Sequence, residues 1–271
     1  MYRHIRFALA FLVYPSLLAS CGDDFESRTK LTGYRTLGVE ATPPEVKPDG
    51  RVELLAHDFD DGEDEIEYSW SLCLYSLGSS DNYDCADKDF EFDIGDTQQV
   101  TLDLGPDGLD LPSQLELFGS LPNLDGTTRD LERGYDFWIR LRSGPTDCHS
   151  CEIDTIKRLR IRDSDQVPNQ NPVIEEFSVR GTPRRGETVT LRLNTNAPER
   201  YRDPDTGAAE TEELLYTWYS SGGETDPPLS YGNDRETELK LPDHGDSVEV
   251  AVAVRDGRGG LAVERRVIEL E

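Results

Sequence analysis

The residues in this chain with chemistry to offer are its cysteines and its carboxylates. Five cysteines occur: Cys21, Cys73, Cys85, Cys148 and Cys151. Cys148-His149-Ser150-Cys151 has the Cys-x-x-Cys spacing at which two thiols can close a local disulfide, exchange electrons or supply half of a metal site. Redox use of that spacing needs a motif that opens a helix after a strand. This one falls between two predicted strands, at a hairpin tip, which favours a structural disulfide. Cys73 and Cys85 then close a loop, which stabilises the fold by about 3 kcal/mol through restriction of the unfolded chain. A four-cysteine zinc site is the rival reading.

The carboxylates cluster twice. Asp58, Asp60, Asp61, Glu63 and Asp64 precede Trp70, and Asp203, Asp205, Glu210, Glu212 and Glu213 precede Trp218. Calcium takes about six to eight hard oxygens and tolerates irregular loops. Asp58, Asp60, Asp61, Asp203, Asp205 and Asp256 are therefore candidate ligands for weak calcium, with Asp147 a further neighbour; otherwise no cofactor is expected. The competing reading is a solvated charge run, and neither loop has EF-hand spacing. Catalysis finds no comparable set. Beyond the first residues only His57, His149 and His244 occur, and nucleophile-elbow, metalloprotease and phosphate-loop motifs are absent. Carboxylate pairs are too numerous for any one to be informative. A non-enzymatic protein is expected.

Composition narrows the partners. The chain has 271 residues and a net charge of -27, and removal of Arg3 and Arg6 with a leader makes it about -29. A phosphate backbone would be repelled, so nucleic acid is not an expected partner. Aromatic content of 8% argues for folded domains, and the length suits one large or two ordinary ones.

The first twenty residues form a processing signal. Arg3, His4 and Arg6 are a positive start, Phe7 to Leu18 is apolar apart from Pro15 and Ser16, and Ala19-Ser20 is a small-residue cleavage site. The apolar run is too short for a spanning helix, which needs roughly 20 residues. Leu18-Ala19-Ser20-Cys21 resembles the lipobox of bacterial lipoproteins. That resemblance implies lipidation of Cys21, with diacylglycerol and an N-acyl chain holding the protein to a membrane. Gly22, where an Asp would favour inner-membrane retention, implies the outer membrane, facing the periplasm or the cell surface. An ordinary secretory signal is the alternative.

The remainder reads as short strands between turn signals, in two copies. In residues 33–163 the expected strands are Tyr34–Ala41, Arg51–His57, Ile66–Leu74, Gln98–Leu104, Tyr135–Arg142 and Asp154–Ile161. After a linker at 164–172 they are Val173–Arg180, Thr188–Asn194, Leu214–Tyr219, Glu238–Leu241, Val248–Arg255 and Leu261–Leu270, within 173–271. Both copies run strand, strand, acidic loop, Tyr-x-Trp strand, short strand, hairpin. Two-residue alternation without helical period predicts an all-β protein. Residues 21–32 read as a tether. Residues 75–97 and 105–133 read as insertions, the second capping the core, with a short helix or turn at 111–121.

Asp203-Pro204-Asp205-Thr206-Gly207, Tyr216-Thr217-Trp218 and Val252-Ala253-Val254-Arg255-Asp256-Gly257 resemble the PKD-like and related immunoglobulin-like modules of bacterial surface proteins. The resemblance spans 173–271 well and 33–163 loosely. It implies two tandem immunoglobulin-like β-sandwiches, and a structural or adhesive role. In such a sandwich Cys73 and Cys148 lie at opposite ends, which counts against zinc. The expected function is a membrane-anchored binding, adhesion or spacer module with an envelope protein or glycan as partner. The alternative is a carbohydrate-binding or calcium-stabilised accessory to a separate enzyme, with Trp138 and Tyr231 the aromatics to inspect. A redox protein using Cys148 and Cys151 is a third.

Overall fold

The computed structural model describes residues 28–62, 64–113, 130–204 and 206–271. Residues 1–27, including Cys21, together with Glu63, Asp205 and most of the 105–133 insertion, lie outside these residues. The fold is all-β. In the first unit, β1 (Arg35–Thr42), β3 (Arg51–Phe59) and β6 (Gln99–Asp103) form one sheet in the order β1-β3-β6. It faces a second sheet in the order β2-β8-β7-β4-β5, made of β2 (Glu45–Val46), β4 (Ile66–Cys73), β5 (Glu91–Gly95), β7 (Tyr135–Pro145) and β8 (Ile153–Ile161). In the second unit the sheets are β14-β16-β10-β9 and β15-β13-β17-β18. Their strands are β9 (Ile174–Arg180), β10 (Thr188–Thr195), β13 (Leu215–Ser220), β14 (Glu224–Asp226), β15 (Leu229–Tyr231), β16 (Glu236–Lys240), β17 (Ser247–Arg255) and β18 (Leu261–Glu269). Consecutive strands that leave one sheet and enter the facing one in this order give the immunoglobulin arrangement.

Alternation explains the layers. Val52, Leu54 and Ala56 on β3, and Phe137, Ile139 and Leu141 on β7, point into the first core. Asp136, Trp138 and Arg140 occupy the other face of β7. Each core is centred on a fully buried tryptophan, Trp70 or Trp218. A buried indole N–H without an acceptor is costly. Trp70 Nε1 donates to the Thr97 carbonyl at 2.7 Å, and Trp218 Nε1 to Ser230 Oγ at 3.1 Å.

The twelve strands expected from sequence all form, with ends shifted by up to three residues. The pieces not anticipated are short. β2 and β5 add edges to the first unit, and β14 and β15 do so in the second. The 75–97 insertion holds β5 and is closed by a Cys73–Cys85 disulfide. The stretch Asp203–Glu213, expected to be an irregular loop, instead begins as a hairpin: β11 (Arg200–Arg202) pairs with β12 (Ala209–Thr211). Asp203 closes its turn by accepting from the Thr206 N–H and hydroxyl, at 2.6 and 2.7 Å. In the 105–133 insertion residues 111–113 are helical, and Leu111 is buried in the first core.

The two sandwiches lie side by side. A third apolar cluster joins Leu37 of β1 and Phe59 of β3 to Tyr219, Ala251, Ala253 and Leu261 of the second unit. It covers the outer face of the β15-β13-β17-β18 sheet, so β17 is buried on both faces from Val250 to Val254. Small side chains let the backbones approach: a Cβ on Gly38 would lie 2.8 Å from Leu261 Cδ2. Leu31 is buried in the same seam. Its N–H donates to the Ser220 carbonyl at 2.8 Å, and the Ser220 N–H donates back to Thr29 at 3.1 Å. Thus the end of the stretch read as tether is docked on β13.

An aspartate at Leu261 would bury an unpaired carboxylate in the seam, at a cost of about 3 kcal/mol or more. A single calorimetric transition is expected for the parent, and Leu261→Asp should split it into two. One transition at an unshifted temperature would show that the seam does not couple the sandwiches.

Candidate functional site

The site is the cleft where the β17–β18 hairpin of the second sandwich meets β8 of the first. The hairpin is built around a buried carboxylate. Asp256 accepts from the backbone N–H of Arg258 at 2.7 Å and of Gly260 at 2.8 Å, and from Asn169 Nδ2 at 2.7 Å. Only glycine fits at 260, because a Cβ there would stand 2.2 Å from Asp256 Oδ2. Asn169 and Asn171 come from the interdomain linker. Asn171 Nδ2 donates to the Ala41 carbonyl at 2.9 Å, and its Oδ1 accepts from the Leu261 N–H at 3.1 Å, clipping β1 to β18.

Lys157 enters this junction from β8 and donates to the Gly259 carbonyl. It is only 8% exposed. Burial pushes its pKa down to about 8, although Asp256 and Glu40 attract the charge; Arg255 and Arg158 repel it. Glu40 itself is pushed up by burial. His57, whose Nε2 lies 2.8 Å from Glu40 Oε2, more than offsets that, and the carboxyl ends below its ordinary range.

The acidic stretch and the last hairpin do meet at one end of each sandwich. In the first, the Thr146 N–H donates to the Glu65 carbonyl at 2.9 Å. In the second, the group between them is a guanidinium. Arg258 Nη1 lies 2.7 Å from Glu212 Oε1 and 3.4 Å from Glu199 Oε2, and its plane covers the Tyr201 ring at 4.1 Å. Burial raises the Glu212 pKa, and the Glu199 N–H and Arg258 partly counter it. Four of the six calcium candidates, Asp58, Asp61, Asp203 and Asp256, are spent on other contacts. Asp58 accepts from Tyr68 Oη at 2.6 Å, Asp61 from the Gly33 N–H at 2.9 Å, Asp203 closes its turn and Asp256 its hairpin. Among the described residues no three His, Cys, Asp or Glu side chains are placed to hold a metal ion; Asp205 lies outside them. Burial, then the Asp58 contact, raises the Tyr68 pKa.

The cysteines pair as Cys73–Cys85 and Cys148–Cys151, with Cα separations of 5.6 and 5.3 Å. Cys73 stands opposite Trp138 in the β4–β7 register and Cys148 follows Pro145 at the far end of β7, roughly 20 Å away at the strand rise. That separation leaves no shared zinc site. Trp138 is half-buried and packs on Tyr83, with ring centroids 4.2 Å apart, whereas Tyr231 is exposed on edge strand β15. Sequence reasoning missed Lys157, Arg158, Asn169 and Asn171. The one available signal was Lys157, which falls on an inward position of an alternating strand.

Lys157 makes stability depend on pH. Below about pH 8 folded and unfolded chains both hold the proton, and the full cost of burying the charge is present. Between that value and the ordinary lysine value of 10.5 the folded chain sheds the proton first, so stability rises with pH. Lys157→Met removes this dependence. Urea unfolding at pH 7 and pH 10 should show the parent gaining about 2 to 3 kcal/mol on the variant. A constant difference would mean that Lys157 titrates as if in water.

No protein-family model matches the chain, and no curated protein matches it. Solved structures with some likeness include murine CEACAM1b, 13% identical over 86% of this chain and 98% of that one, at a TM-score of 0.24. The N-terminal Ig1-2 module of the Drosophila receptor protein tyrosine phosphatase DLAR is 8% identical over 88% and 99%, at 0.28. Three N-terminal domains of the bacteriophage RB49 outer capsid protein Hoc are 11% identical over 88% and 70%, at 0.23. Likenesses of this size carry no argument about function, and the tandem immunoglobulin-like fold stands on its sheet order.

Proposed function

We propose that this protein is a non-enzymatic envelope lipoprotein, anchored at Cys21 in an outer membrane, whose two sandwiches act as one rigid binding or spacer unit for an envelope protein or glycan. The observation that supports this most is the docking of residues 29–31 in the seam between the sandwiches. Only residues 22–28 then separate Cys21 from folded protein, and seven residues reach about 25 Å at full extension. The unit would sit close over the bilayer, held at its junction, with loop clusters and sheet faces of both sandwiches presented together. Burying two or three acyl chains at about 0.8 kcal/mol per methylene makes such attachment long-lived.

The accessory-module reading keeps one observation in its favour: Trp138, backed by Tyr83, borders the cleft between the sandwiches. Its calcium component loses support in the second sandwich, where Arg258 already balances Glu199 and Glu212.

Intact mass spectrometry of the protein from its native membrane is the test. The expected mass lacks residues 1–20 and carries two or three acyl chains, and Cys21→Ser should move the protein to the soluble fraction. An unacylated chain that stays with the membrane would overturn the anchor.

A further inference from the structure

We infer that the cleft between the sandwiches takes an acidic saccharide, with its carboxylate on Arg158 and its ring against Trp138. This deepens the binding-module reading and rests on it. Acids outnumber bases 55 to 28 in the whole chain, yet the cleft reverses that balance. Two adjoining hollows of about 510 and 180 Å³ share Arg158 and Gly257 as a common wall. Lys157, Arg158, Arg160, Arg162, Arg255 and Arg258 line them, against Glu45 and Asp203. The larger volume falls within the range of small-ligand sites.

Most of these cations are committed to the fold. Arg162 is buried against Glu45, Arg160 holds Asp136 through two bonds of 2.7 and 2.9 Å, and Arg258 holds Glu212. Arg255 donates to the Leu37 carbonyl at 2.7 Å. Arg158 is held more loosely: its Nη2 is 3.4 Å from the Gly257 carbonyl, its Nη1 is 3.9 Å from Asp136, and its side chain is 35% exposed. A planar guanidinium in that state can turn its fork to a ligand carboxylate and bind it through two parallel hydrogen bonds.

Trp138 stands directly opposite Arg158 in the β7–β8 register, so both project from the same face of the sheet. Tyr83 packs on the indole and limits its movement. An indole wall offers the apolar C–H face of a sugar ring a flat surface to cover, and the polar edge of that ring remains free for the guanidinium. Gly257 and Gly259 contribute backbone alone to the opposite wall.

The charge of the rest of the molecule selects the kind of anion. A broad anionic surface such as a lipid headgroup layer would face the whole acidic exterior and be repelled. A single sugar strand entering the cleft meets the local cations first, because screening at about 0.15 M salt limits the reach of distant charges to about 8 Å.

The test is titration calorimetry of the full acylated chain in detergent micelles at that salt, with hexagalacturonate as probe. Its fully methyl-esterified form serves as the neutral control on the same protein. Hexagalacturonate should bind, and the ester should bind about tenfold more weakly or worse, since a charge-assisted pair is lost. Arg158→Gln should weaken hexagalacturonate by a similar factor, and Trp138→Ala by about fivefold or more. Tyr231→Ala should leave binding unchanged. Equal binding of acid and ester, competition by equimolar inorganic phosphate, insensitivity to Arg158→Gln, or no binding at millimolar concentration would each overturn the proposal. An acylated protein that does not bind the probe loses the cleft assignment and keeps its anchor. An unacylated protein that binds it keeps the cleft and loses the anchor.

Discussion

The buried carboxylate of Asp256 is the group on which the junction depends. A carboxylate this far from water is tolerated only when hydrogen bonds replace its hydration. Three donors do so, two from its own hairpin and one from Asn169 in the linker. The same charge attracts Lys157 from the other sandwich. One side chain therefore sets the hairpin, fastens the linker and gives the neighbouring sandwich a reason to approach. Removing one member of such a set leaves the others buried without compensation, which is why polar junctions of this kind are costly to break.

Around this polar centre the seam is apolar and closely approached. Ala251 and Ala253 keep β17 thin on its outer face, while Val250, Val252 and Val254 fill the core on the other. A strand apolar on both faces has to be covered on both, and β1 with Leu31 supplies the second cover. The consequence is mechanical. Two sandwiches joined by a linker alone would swing, whereas these share an apolar face and are clipped together by Asn171. The N-terminal segment is fastened into that same seam, so whatever holds the N-terminus holds the junction.

Charge is distributed with a purpose that net charge alone conceals. A protein of -27 repels polyanions as a whole, yet its arginines gather along β8 and the last hairpin. In the second sandwich Arg258 sits between Glu199 and Glu212 with a fixed, covalently attached charge. Stacking on Tyr201 and pairing with Glu212 hold it there. The looser Arg158 sits beside the aromatic pair Trp138 and Tyr83, at the mouth of the space that the two sandwiches enclose.

Much of the fold was legible in the chain. Period-two alternation marked Arg51 to His57 and Tyr135 to Arg142 as half-buried strands, and the repeated Tyr-x-Trp marked Trp70 and Trp218 as core centres. Cysteine parity and spacing suggested the two disulfides. These signals are local, and locality is why they could be read. The strands missed were β2, β5, β11, β12, β14 and β15, five residues at most; β2, β5, β14 and β15 form because a neighbouring strand offers unpaired backbone, and β11 and β12 pair only with each other. Asp203 and Asp256 were recognised as acidic residues near hairpins; Thr206, three residues on, holds the first in a local turn, whereas burial of the second was completed from far along the chain, by Asn169 in the linker. Lys157 and Arg158 look like ordinary strand residues until the second sandwich closes over them. The sequence by itself determined where the twelve main strands fall and which tryptophans centre the two cores, because each is written in neighbouring residues. Only the tertiary structure decided that the sandwiches share a face, that a basic cleft lies between them and that the tether ends inside the seam, because these arise between residues as far apart as Leu37 and Arg255.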